Sequence, residues 1–360
     1  MKAPRSAFLA LSFLRVALSD FSHANFAERD CPAATGSDSF PCVVGFLVLR
    51  MPSAQMRLKP RFAFKWRLLW LAGMALVSFT LWKSAILSFG YYWILANTDH
   101  AHSIAPQINL SAYAAKTQKK VIAGLTSNVS GLTFSSSTQT LFTVINKKPA
   151  VAEISVEGDL IRRIPIIGGK DPEGITHIAD DLFVIVDEGD QSIHWVNIKP
   201  ETTELTLTDE RRLVLNLSAY RNLGIEGASW DSDHNRLYIV QEALPLRILV
   251  VEGLLDRIGG RSSMPTVKEW TSGDLSKVFS LDLSSVSFHE QTRSLFLLSH
   301  ASSMLVNYTL DGKTLGMLAL HKGRHGLDET VPQAEGVALD PKGAVYIVSE
   351  PNFFYRFERP

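Results

Sequence analysis

From Lys119 onward the chain alternates short apolar runs with polar turns, and the alternation itself repeats. "SGLTFSSSTQTLFTVIN" begins at Ser130, "EGITHIADDLFVIVD" at Glu173, "EGASWDSDHNRLYIVQE" at Glu226, "SSVSFHEQTRSLFLLSH" at Ser284 and "EGVALDPKGAVYIVSE" at Glu335. The starts lie 43, 53, 58 and 51 residues apart. Each copy holds two apolar strands around a polar turn, which predicts a β-hairpin. Further strand-like segments follow each hairpin: "LIRRIPIIG" after the first, "TELTLT" after the second, "TVKEWT" after the third and "TLGMLAL" after the fourth. Four antiparallel strands in a unit of about 40–50 residues is the repeat of a β-propeller blade. The predicted fold is therefore all-β, a five-bladed β-propeller over residues 117–360. Six blades is the alternative, if the long third unit hides a blade between Glu252 and Leu283; "EGLLDRIGG" there reads instead as a short helix and a loop.

The fifth unit ends one strand short, at "FFYRFERP". A propeller must close its ring, so the strand-like "KKVIAGL", Lys119 to Leu125, is expected to complete the last blade.

The pattern upstream differs. "RLKPRFAFKWR", Arg57 to Arg67, carries five basic residues and no acid. The apolar run Leu68 to Ala96 follows, broken by one charge, Lys83. A membrane-crossing helix needs about 20 apolar residues, so a single N-terminal transmembrane helix is expected over 68–96. Basic residues before it and Asp99 after it orient residues 56–67 toward the cytoplasm. The propeller would then lie in the periplasm, on a single-pass anchor in the inner membrane, with 97–116 as a linker. Residues 1–55 show no domain-like periodicity and read as a non-native or disordered extension, with translation starting at Met51 or Met56.

Charge enters at the strand ends. In a propeller the first strand of each blade lines the central channel, and its start lies beside the end of the second strand. The first strands begin with Ser130, Glu173, Glu226, Ser284 and Glu335; the second end at Asn146, Asp187, Glu242, His300 and Glu350, with Glu188 next to Asp187. Carboxylates gathered at one mouth repel unless a cation joins them. Hard oxygen donors suit calcium, with magnesium or another divalent ion as the alternative. The candidate ligands are Glu173, Glu226, Glu335, Asp187, Glu188, Glu242, Glu350 and Asn146. The bland reading is that strand-end carboxylates are solvated, or cap the strand turn.

"EGVALDPKGAVYIVSEPNFFYRF", "LFTVINKKPA" and the anchored layout resemble the SdiA-regulated, YjiK-like bacterial proteins. The resemblance covers Lys119 to Pro360. It implies a five-bladed propeller, distantly similar to NHL-repeat propellers, with a calcium site, and it points to Glu173, Glu226 and Glu335 as ligands. It implies no activity, because the family has none established. Ser284 in the fourth unit departs from the glutamate pattern.

Composition narrows the functions. Lys plus Arg equals Asp plus Glu at 36 each, which argues against a nucleic-acid partner. Both cysteines, Cys31 and Cys42, lie upstream of the repeats, so the propeller has no thiolate site. No Gly-x-Ser-x-Gly, phosphate loop or His-Glu-x-x-His motif occurs. Two classes remain. One is a binding module for a small molecule or an envelope protein. The other is a metal-dependent hydrolase of an ester, lactone or phosphoester, with Glu242 or Glu350 as base.

Overall fold

The computed structural model describes residues 60–83, 86–98, 108–215, 224–242, 246–261, 264–270 and 280–360. The extension 1–55 lies outside them.

Five sheets form five blades. Blade 1 has β2 (Val129–Ser135), β3 (Thr140–Ile145), β4 (Ala150–Ile154) and β5 (Leu160–Ile167). Blade 2 has β6 (Pro172–Ala179), β7 (Leu182–Asp187), β8 (Ser192–Asn197) and β10 (Arg212–Val214). Blade 3 has β11 (Ile225–Asp231), β12 (Arg236–Gln241), β13 (Arg247–Glu252) and β14 (Thr266–Glu269). Blade 4 has β15 (Ser285–His289), β16 (Ser294–Ser299), β17 (Met304–Thr309) and β18 (Thr314–Ala319). Blade 5 has β19 (Ala334–Leu339), β20 (Val345–Ser349) and β21 (Phe353–Glu358), completed by β1 (Ala114–Val121) from the N-terminal side.

Inner strands are buried along almost their whole length because blades cover both their faces. Every residue of β11 and β15 is buried, whereas the outermost β5 alternates between buried and exposed positions toward its end. Among the described residues, five apolar clusters sit one at each blade-to-blade interface. Phe142 with Phe183 joins blades 1 and 2, Trp195 with Trp230 blades 2 and 3, Tyr238 with Phe288 blades 3 and 4, Phe296 with Phe357 blades 4 and 5, and Tyr346 with Leu141 blades 5 and 1. The ring is closed at five blades. Between Glu252 and Leu283 the described residues hold the short helix α3 (Leu254–Ile258) and β14 only.

Two strand assignments shift. The closing strand β1 runs Ala114–Val121, earlier than the expected Lys119–Leu125; Ala114 pairs with Glu358 and Val121 with Phe353, through two bulges. Ile122 and Leu125 instead bury themselves under blade 1. The segment "TELTLT" does not close blade 2. Its Leu205–Thr206 (β9) pairs in parallel with Ile166 and Ile167 of blade 1, and Arg212–Val214 takes the outer edge of blade 2.

The apolar run before the propeller is two helices, α1 (Pro60–Lys83) and α2 (Ile86–Thr98). Proline suits the first helical turn, where its missing N–H costs nothing. Lys83, the one charge in the run, is the last residue of α1. Leu69–Leu81 and Ile86–Ile94 are bent by 60° about the break, and no single described helix is long and apolar enough to cross a membrane. The α1 side chains Leu69, Trp70, Leu71, Met74 and Leu76 are exposed. Helix α2 packs on blade 4, where the Tyr92 and Tyr308 hydroxyls share a buried hydrogen bond of 2.5 Å.

Candidate metal centre

The inner strands approach one another backbone to backbone just past their first residues. A Cβ on Gly174 would lie 2.6 Å from the Glu226 carbonyl oxygen, and one on Gly227 would lie 2.7 Å from Ser285 Cα. Gly131 and Gly336 occupy the same position in blades 1 and 5, and Ser285 in blade 4. This is why glutamate is followed by glycine in the repeat: the second residue must let the next blade in.

The strand register sorts the second-strand residues. Ile145, Asp187, Gln241 and Ser349 pair with the starts of their inner strands, at Val129, Pro172, Ile225 and Ala334. The next residues, Asn146, Glu188, Glu242 and Glu350, each donate a backbone N–H to the residue two before the inner-strand Ser or Glu: Asn128, Asp171, Gly224 and Gln333. Glu188, not Asp187, is thus the equivalent of Asn146, Glu242 and Glu350. Side chains alternate along a strand, so one residue of slip turns a group to the other side. Asp187 accordingly accepts from Lys170 N at 2.7 Å, Asp171 N at 3.0 Å and Gly189 N at 3.0 Å. It shapes the loop that carries Asp171.

Asp171, Glu173 and Glu188 each place a carboxylate oxygen within 4.8 Å of the others. Asn146 Nδ2 donates to Glu173 Oε1 at 2.8 Å, and its Oδ1 is buried without a partner. A Cβ on Gly224 would lie 2.7 Å from both Glu188 Oε1 and Glu226 Oε1, so these two oxygens close in on the bare backbone there. On the blade 4 side, His300 Nδ1 stands 3.6 Å from Glu335 Oε1 and 3.9 Å from Asp282 Oδ2. Asp282 is otherwise held by the Ser299 hydroxyl and the Ala301 N–H. Glu350 accepts from Asn128 Nδ2 at 3.1 Å.

These carboxyls push one another's proton affinities upward. Burial, then Asp171 and Glu188, raises Glu173 to about 7 against the opposing hydrogen bond from Asn146. Burial, then Glu350, Glu173 and Glu242, raises Glu335 to about 8. Glu226 is raised well above the ordinary range by burial, then by Glu173, Glu242, Glu188 and Glu335. Burial also raises Glu188, with Asp171 adding to it, and Glu242, with Asp282 adding and His300 opposing. A buried cluster of carboxyls with raised proton affinities and an orphaned amide oxygen beside it could hold a hard cation.

Sequence reasoning missed Asp171 and Asp282. Both lie two residues before the inner-strand position, at Glu173 and Ser284, and so share its side of the extended chain. That spacing was the available signal. Elsewhere Asp190, Ser192 and His194 gather a carboxylate, a hydroxyl and an imidazole, but the carboxylate bonds the serine and Ser192 is fully buried. A nucleophilic triad needs the base between them and an open hydroxyl.

Solved structures of similar fold include the following three. A streptogramin B lyase aligns at 9% identity and TM-score 0.41, over 69% of this chain and 98% of its own. A luciferin-regenerating enzyme aligns at 13% and 0.41, over 67% and 94%. A nidogen/laminin complex aligns at 14% and 0.38, over 62% and 73%. The sequence profile described as SdiA-regulated matches residues 105–358, and with its closed five-bladed ring the chain belongs to that family.

Proposed function

We propose that the acidic mouth binds one divalent cation, calcium by the chemistry of its donors, and that the chain presents this mouth as a binding module from a membrane surface. The observation that carries the first part is the convergence of Asp171, Glu173 and Glu188 within 4.8 Å. Those three and Asn146 Oδ1 would hold the ion, and Glu226 and Glu335 would add charge around it. Oxygen donors from flexible loops and strand ends suit calcium, whereas magnesium demands a near-ideal octahedron. The ion would replace the protons these carboxyls otherwise keep. Glu242 and Glu350 lie on the same rim, where they would meet a small molecule or an envelope protein.

Support for the membrane surface comes from α1 and α2. Their apolar residues suffice for a bent span by length and composition, and α1 presents Trp66, Trp70 and Phe79 outward. Basic residues precede this pair, which favours a cytoplasmic N-terminus and a periplasmic propeller.

A second reading, hydrolysis of an ester, lactone or phosphoester, is favoured by one observation. Glu335, raised to about 8, sits 3.6 Å from His300 Nδ1, so a carboxyl and an imidazole stand side by side at the mouth. A panel of such substrates, assayed with calcium and with chelator, separates the two readings.

The binding test is thermal. Calcium at a hundredfold excess over its dissociation constant stabilises the fold by about 2.7 kcal/mol, if only the folded chain binds it. The full chain in detergent should melt higher in calcium than in chelator. In the combined Glu173→Gln, Glu226→Gln, Glu335→Gln variant that difference should vanish. An equal response in variant and wild type would put the ion elsewhere.

A further inference from the structure

The other mouth of the channel is a separate basin. It is built by the far ends of the inner strands and the turns that follow them. Three residue steps along an inner strand, about 10 Å, separate Ser130, Glu173 and Glu226 at the first level from Thr133, Thr176 and Ser229 at the second. A cavity of about 190 Å³ opens there, lined by Phe134, Trp230, Phe288, His289, Glu290 and the hydroxyl-bearing strand ends.

Most polar groups around it are already committed. Thr133 Oγ1 accepts His177 N at 3.1 Å, Thr176 Oγ1 accepts Trp230 N at 3.1 Å, and Ser229 Oγ accepts Phe288 N at 2.7 Å. Asp340 accepts from Lys342 N, Ala344 N and the Tyr346 hydroxyl. His177 Nε2 faces the Asp180 carbonyl oxygen at 3.0 Å.

Two groups are not. His289 is only 5% exposed; its Nδ1 meets Thr292 Oγ1 at 2.9 Å, and its Nε2 forms no hydrogen bond of normal geometry. Glu290 accepts from Ser232 N at 2.9 Å through Oε1, but Oε2 is buried with no partner. A buried polar atom left unpaired costs free energy, so a ligand that pairs it gains affinity.

The chemistry of the lining selects that ligand. A carboxylate oxygen only accepts hydrogen bonds. Burial pushes the His289 pKa down, against a smaller pull from the Asp340 backbone, so its ring is neutral at neutral pH. No Lys or Arg lines the cavity, and Glu290 would repel an anion. Metal ions are poorly served, since both Asp340 oxygens are taken and, Glu290 apart, the wall offers hydroxyls and aromatic rings rather than further carboxylates. Aromatic side chains and a carboxylate together favour an organic cation with N–H donors. The cavity is smaller than the range for drug-sized ligands, about 300–1,000 Å³, so the cation must be compact.

We propose that this second mouth binds a small primary ammonium compound, its nitrogen donating to Glu290 Oε2 and its apolar body lying against Phe134, Trp230 and Phe288. The site is independent of the acidic mouth and of its ion.

The probe is n-butylammonium, titrated calorimetrically into the full chain in detergent, with n-butanol and butyrate as matched neutral and anionic compounds. Butylammonium should bind saturably, equally in calcium and in chelator. Glu290→Gln keeps the acceptor for Ser232 N and replaces Oε2 by a donor, so binding should weaken about tenfold or more. Gln291→Glu adds a second lining carboxylate and should tighten binding; it decides the matter if Glu290→Gln melts too low to titrate. No saturable binding would mean that solvent satisfies Glu290 and His289, and the proposal fails. Butanol binding as tightly as butylammonium, or an unchanged affinity in Glu290→Gln, overturns it as well. Loss of binding in chelator would place the cation at the acidic mouth instead.

Discussion

The two ends of the same five strands are built on opposite rules. Where the inner strands start, Glu173, Glu226 and Glu335 gather with Asp171 and Glu188, and burial together with neighbouring carboxyls raises the proton affinity of the three glutamates. Where the strands end, Thr133, Thr176 and Ser229 each accept an amide N–H from the next blade, and nearly every polar group has a partner. One end accumulates unfavourable charge; the other dissipates polarity into the blade interfaces. A repeat fixes where a side chain stands, but not whether the fold consumes its chemistry. The residues to test for function are those the fold leaves unconsumed: Asn146 Oδ1 at one end, Glu290 Oε2 and His289 Nε2 at the other.

The comparison breaks most completely if the ring opens. Deleting Ala114–Val121 exposes the edge at Phe353–Glu358 and removes the pairing that completes blade 5. We expect a loss of several kcal/mol, measured by denaturant unfolding, with calcium and butylammonium binding lost together. Unchanged stability would mean that blade 5 does not need this strand.

That strand also marks the boundary of what the chain shows unaided. The hairpins were legible because their second strands, such as β3, β7 and β12, are buried and read as apolar runs after a polar turn. β1, "AAKTQKKV", is an outermost strand with little to bury, and its lysines reach out to Glu329 and Asp159; it reads as a linker. Leu205–Thr206 has strand composition, but which blade it joins is decided by the long connection from β8 to β10. At the site, the three Glu-Gly pairs announced themselves. Asp171 did not, because it lies in the loop before the repeat motif begins, and Asp187 stood in for Glu188 through a slip of one residue. The helix break at Lys83 was visible as a charge, but not as a bend of 60°.

The next largest effect is a pH dependence confined to the acidic end. Glu173 at about 7 and Glu335 at about 8 are raised above their ordinary value of 4.5. The folded chain then binds more protons than the unfolded chain between those values, so stability falls as pH rises through the window. From Glu173 alone the loss is on the order of 3 kcal/mol between pH 4.5 and 8. In chelator the melting temperature should fall over that range. In saturating calcium the fall should flatten, since the ion replaces the protons, and calcium affinity should rise with pH. A flat profile in chelator would show that the carboxyls do not crowd as described.

The smallest effect sharpens the contrast most, because it sets one substitution at each end against the other. Ser229→Ala leaves the Phe288 N–H without its acceptor at 2.7 Å. That should cost about 1–3 kcal/mol, equally in calcium and in chelator. Glu226→Gln has the reverse signature. It keeps the shape of a carboxyl whose proton affinity burial and four neighbouring glutamates raise. In chelator at pH 8 the variant should melt at or above wild type, while its gain from calcium shrinks. Sites more than about 7–10 Å apart with no shared partner add within about 0.5 kcal/mol. The double variant in chelator should therefore equal the sum of the two single changes. A larger deviation would mean that strain at one mouth is transmitted along β11 to the other, and the two ends would have to be treated as one site.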